Sequence, residues 1–135
     1  MVKMTIEYLG DKHCELIHEP SGSKIETDAP KDNQGKGARF SPTDLMGAAL
    51  GSCILTTLAI VGERDGIKLT GATALVEKDM VSEPSRRIGS LRTHVRLPGS
   101  LSPDQRLKLE NVARHCPVHR SLAAEIQAPI TFEYF

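Results

Sequence analysis

Apolar and polar positions alternate at the start of the chain, with Met4, Ile6 and Tyr8 on one side and Thr5 and Glu7 on the other. A period of two is the mark of a half-buried strand. Gly10-Asp11-Lys12 predicts a turn, Cys14 to His18 a second strand, Pro20-Ser21-Gly22 another turn, and Lys24 to Thr27 a third short strand. Residues 1–28 therefore read as a β-meander. The composition then changes to DAPKDNQGKGARF, and residues 29–40 read as a loop.

At Ser41-Pro42-Thr43-Asp44 the period changes. Ser41 suits an N-cap, Pro42 the first helical position, and Asp44 the acid-favouring first turn. The predicted helix runs over residues 42–65, with Gly66 as its stop. Its apolar residues, among them Leu45, Met46, Leu50, Ile54, Leu58 and Ile60, cover nearly every face, as in a helix buried on all sides. A chain of 135 residues has little material to wrap such a helix, so the pattern predicts a homodimer. The same segment, near residues 45 to 61, is interrupted by Gly, Ser, Cys and Thr, and reads as a core helix rather than a membrane span.

Residues 67–79 and 87–97 read as strands joined by a turn around Ser-Glu-Pro-Ser. Ser102-Pro103-Asp104 repeats the helix-start signature ahead of QRLKLENVARH. A short helix is expected over residues 118–127, and PITFEYF closes the sequence as a strand. Strands grouped around two main helices, rather than alternating with helices one by one, define an α+β fold with antiparallel sheets. One domain over 1–135 is expected, its core and both later cysteines in residues 41–135.

Composition narrows the function. Lys plus Arg and Asp plus Glu balance at 17 each, and no basic cluster stands free of acidic neighbours, which argues against nucleic acid. The N-terminal residues have neither a long apolar run nor a signal-peptide pattern, so a cytoplasmic protein is expected. Three cysteines there are not a disulfide scaffold. Cys14, in a predicted strand, reads as structural, and Cys53, taken alone, as a small core residue. Cys116 sits in RHCPVHRSL before Pro117, at or near a helix N-cap, where backbone N–H groups and the helix dipole favour a thiolate. His115 and His119 raise the question of a metal, but the spacing departs from the usual zinc patterns.

The block SPTDLMGAALGSCILTTLAIVGERDGIKLTG, followed some sixty residues later by ARHCPVHRSL, resembles the OsmC/Ohr family of thiol-dependent hydroperoxide reductases. The resemblance implies an intertwined homodimer with Cys53 and Cys116 meeting in space. It implies that Cys53 attacks an organic hydroperoxide and Cys116 resolves the product to a disulfide. A dithiol reductant would complete the cycle, and no metal, haem or flavin is required. A second reading keeps the fold without turnover, as a binding protein for a small hydrophobic or thiol-reactive ligand.

In the peroxidase branches of that family an N-terminal arginine and a glutamate directly after the helix-starting proline activate the cysteine. Here Thr43 follows Pro42, and the nearest acid is Asp44, rotated by about 100° on a helix. The first arginine is Arg39, at the end of the loop. Arg39 and Asp44 are therefore the candidate partners of Cys53, with Arg39 expected to reach the cysteine of the other chain.

Overall fold

A computed structural model describes residues 1–135, which form two compact units, Met1–Met46 and Gly47–Phe135.

The first unit is an antiparallel meander: β1 (Met4–Gly10), β2 (His13–His18) and β3 (Ser23–Asp28), with β2 central. Asp11 and Lys12 both take positive φ in the first turn, and Gly22 does so in the second. Ile6, Leu16 and Ile25 lie in register across the three strands, as do Tyr8, Cys14 and Thr27. Opposed residues share a face, so one face of the sheet is apolar. Within this chain that face is largely uncovered, with Ile6 57% and Tyr8 65% exposed. A short 3-10 turn at Lys31–Asn33 interrupts the loop that follows.

The helix α1 (Pro42–Arg64) begins at a reciprocal cap: Asp44 N donates to Ser41 Oγ at 3.1 Å, and Ser41 N donates to Asp44 Oδ2 at 2.9 Å. Two of the helix's open N–H groups are satisfied there. Its end is a Schellman turn, in which Ile67 N bonds Gly62 O and Gly66 N bonds Glu63 O, with Gly66 at φ +69°.

In the second unit, Leu50, Ile54 and Leu58 form a fully buried stripe on α1. They join one hydrophobic core with Leu91, Val95 and Leu97 of β5 (Arg87–Leu97) and Leu109 of α2 (Pro103–Ala113). Gly51 allows close packing on β4 (Thr73–Val81), since a Cβ there would stand 3.0 Å from Val76 Cγ2. By length and apolar content α1 would also cross a bilayer, but this inner stripe belongs to a protein core. The expectation of burial on all sides holds only in part. Met46, Ala49, Thr56 and Ile60 are exposed, Ile60 by 50%.

The second sheet has the order β4-β5-β6, with β6 at Ile130–Tyr134. β4 and β5 are antiparallel, whereas β5 and β6 run parallel, so this sheet is mixed. A parallel pair needs a crossover, and here it carries α2 and α3 (Pro117–Arg120). The expected strand over 67–79 starts only at Thr73, because the helix-ending turn and the Leu69–Ala72 turn occupy the residues before it. The expected helix over 118–127 is confined to one turn. Gln127 exchanges backbone bonds with Gly89 and Leu91 instead, and that pairing draws the chain out of helix.

Candidate active site

Two helix termini and a strand fix the position of Cys116. The start of α2 carries a full capping box, Ser102 Oγ accepting from Gln105 N while the Gln105 side chain accepts from Ser102 N. α2 then docks on β6 through Tyr134, whose hydroxyl donates to Glu110 Oε1 at 2.5 Å while the Arg106 guanidinium covers its ring at 4.1 Å. Burial and the acceptor carboxylate push the Tyr134 phenol up to about 12, so it remains a donor at any ordinary pH. The chain leaves α2 through Arg114 and His115, and Cys116 becomes the N-cap of α3. His119 Nε2 lies 3.1 Å from Ala128 O and ties α3 to the segment leading into β6.

The N-cap placement of Cys116 matches the sequence expectation. Its sulfur accepts the backbone N–H of His119 at 3.4 Å. The expected thiolate character does not follow. Cys116 is fully buried, and burial is the largest influence on its pKa; with the neighbouring Cys53 it leaves the thiol raised despite the lowering by the His119 and Val118 N–H groups. The helix has only four residues, so its terminus is a weak source of positive potential. Cys116 is a buried thiol, not a ready nucleophile.

Cys53 stands on α1, near enough to Cys116 to raise its pKa. It is half-buried, between the buried stripe and the exposed face, and its sulfur lies 3.9 Å from Thr57 Oγ1 one turn on. Both thiols are free. The structure thus joins a partly accessible thiol to a buried one, which is the arrangement a peroxide-then-disulfide sequence uses. The adjacent histidines turn to backbone carbonyls, His115 Nδ1 to Asn111 O at 2.8 Å and His119 as above.

Arg39 and Asp44 each have a local partner. Arg39 Nε donates to Glu26 Oε2 at 3.2 Å and its NH1 to Ala38 O at 3.1 Å. Asp44 takes part in the α1 cap. Cys14 is half-buried on β2, in register with Tyr8 and Thr27. Sequence reasoning did not single out His13. Its Nδ1 is 2.6 Å from Asp28 Oδ1 and its Nε2 3.1 Å from Glu26 Oε1. A neutral imidazole has one N–H and cannot donate to both, so this geometry is that of an imidazolium. The bonds to Asp28 first and Glu26 second raise the His13 pKa and lower those of both carboxylates. Asp28 Oδ2 also accepts from Ala38 N at 3.1 Å, so the cluster holds the end of the loop to the meander. His13, Glu26 and Asp28 share one face of the meander through the register of β2 with β3.

The sequence model of the OsmC-like protein family matches residues 35–131. The chain belongs to this family. It is 36% identical to a protein of Psychrobacter arcticus 273-4 assigned to osmotic stress induced and detoxification response, over 98% of this chain and 96% of that one, with a TM-score of 0.93. An organic hydroperoxide resistance protein of Elizabethkingia anophelis shares the fold at TM-score 0.80 and 17% identity, over 100% of this chain and 96% of that one. An organic hydroperoxide resistance protein OsmC of Legionella pneumophila does so at TM-score 0.77 and 17% identity, over 98% and 96%. None of the curated proteins matches the chain.

Proposed function

We propose that the protein reduces organic hydroperoxides with its cysteine pair, as a cytoplasmic homodimer. The observation that carries this reading is the pairing of a half-buried Cys53 with a buried Cys116. The Cys53 thiolate bonds the terminal peroxide oxygen and the O–O bond breaks. The alkoxide leaves and takes a proton to become an alcohol, and Cys53 is left as sulfenic acid. Cys116 then condenses with it, its proton leaving with the hydroxyl as water, and the S–S bond forms. A dithiol donor reduces that bond by exchange and is itself oxidised to a disulfide. The exposure of Cys53 and the raised pKa of Cys116 support this division of roles, since attack needs access and thiolate. Arg39 is the proposed activator. Its ion pair with Glu26 is solvent-exposed, and such pairs cost little to open. Asp44 is proposed to act through the α1 cap that precedes the site.

Consumption of cumene hydroperoxide against hydrogen peroxide, with a dithiol reductant, tests the reading. Turnover lost in Cys53→Ser and faster with the organic substrate is the expected result. No consumption of either peroxide sinks it and leaves the second reading, a non-catalytic binding protein of the same fold. The local engagement of Arg39 and Asp44 favours that alternative.

A further inference from the structure

The reactive thiol stands next to a hydroxyl that the chemistry above does not use. A helical threonine usually returns its hydroxyl to the carbonyl three or four residues earlier. Thr57 instead has its Oγ1 3.9 Å from Cys53 Sγ, the side chain of the residue four positions earlier on the same face of α1. Both residues are half-buried, so water competes less for the hydroxyl than it would on an open surface. Residues four apart on a helix are neighbours by construction, and a β-branched side chain has few rotamers there. Little conformational freedom is lost in keeping the hydroxyl at the sulfur.

We propose that Thr57 is the hydrogen-bond donor that stabilises the Cys53 thiolate. While the sulfur is protonated either partner can donate, and the bond is a weak one between neutral groups. Once the proton leaves, the sulfur can only accept, and the hydroxyl becomes a charge-assisted donor to an anion. A hydrogen bond made better to the charged form favours that form. Cys116 stays a neutral thiol beside that charge, because a charge on Cys53 opposes its ionisation. Thr57 is the neighbour on α1 whose contribution grows with the negative charge.

The inference rests on the reading of Cys53 as the attacking thiol, and its test needs no peroxide. Cys53 alkylation by iodoacetamide, followed by peptide mass spectrometry, is compared in wild type, Thr57→Val and Thr57→Ser at neutral and strongly alkaline pH. Valine keeps the shape and removes the donor; serine keeps the donor. The expected result is slowing by about two- to tenfold in Thr57→Val at neutral pH, the range of one net hydrogen bond. Thr57→Ser restores the rate, and all three proteins agree at alkaline pH, where every thiol is ionised. Equal rates at neutral pH would overturn the proposal. So would slowing that persists at alkaline pH, or a serine variant as slow as valine, because each points to access or packing. Wild-type Cys53 that alkylates more slowly than Cys14 would overturn the attacking-thiol reading as well. Superimposable thermal unfolding of the three proteins confirms that the variants fold.

Discussion

Cys53 and Cys116 lie close enough in the folded chain for Cys53 to raise the pKa of Cys116, one on the central helix and the other capping α3. Oxidation with one equivalent of organic hydroperoxide is expected to join them. Non-reducing peptide mapping will show a Cys53–Cys116 link and a free Cys14. In Cys116→Ser, Cys53 stops at sulfenic acid and passes to sulfinic acid with excess peroxide. A bridge that contains Cys14 contradicts the assignment.

Arg39→Ala is expected to slow alkylation of Cys53 at neutral pH by about tenfold, the effect of one pKa unit. The Glu26 contact predicts a second effect, a looser loop end, visible as faster amide exchange at Ala38. Faster exchange with an unchanged alkylation rate would make Arg39 an anchor of the loop and remove it from the thiol chemistry.

The His13 cluster predicts a pH window for stability. His13 is held above its ordinary 6.5, so its contribution is complete below about pH 6.5 and is lost as pH rises through the folded value. Asp28 and Glu26 are held below their ordinary 3.8 and 4.5, so theirs is complete above those values and is lost as pH falls through the folded ones. All three act together at about pH 5 to 6. The difference in melting temperature between wild type and His13→Gln should be greatest there and shrink toward alkaline pH. A difference independent of pH would mean that the imidazole acts by packing alone.

Ser102→Ala removes both the acceptor for Gln105 N and the reciprocal geometry of the box. Urea unfolding should show a loss of about 0.5 to 2 kcal/mol, the usual cost of a lost cap.

The apolar face of the meander and the outer residues of α1 predict a dimer, since exposed apolar area of this kind marks an interaction surface. Light scattering at micromolar concentration should give twice the chain mass, and Ile6→Glu should shift it toward the monomer. A wild-type monomer under the same conditions refutes the dimer.

Much of this was legible where Gly, Pro and Ser punctuate the chain. The meander, the Ser41 and Ser102 helix starts and the Gly66 stop all appear near their predicted positions, because those residues act locally. Three features were not legible. The direction of β6 depends on its partner, and its alternating pattern is the same in either orientation. The segment after Arg120 contains helix formers, yet pairing of Gln127 with β5 outweighs local propensity. The pKa of Cys116 turns on burial, which the motif RHCPVHRSL does not encode. His13 was passed over for a related reason. A lone histidine in a strand says nothing of the two carboxylates that the register of β2 and β3 sets beside it.

The parallel pairing of β5 with β6 also places Cys116 inside the crossover that joins the two strands. The meander closes by short turns, and contacts of that kind form early in folding. The β5–β6 pair must instead close a loop that carries α2, α3 and Cys116, and long loop closure delays such contacts. Cys53 lies on α1, ahead of that crossover, whereas Cys116 lies within it. On the proposed peroxide chemistry, a chain in which β5 and β6 have not paired leaves Cys53 without a thiol to resolve its sulfenic acid.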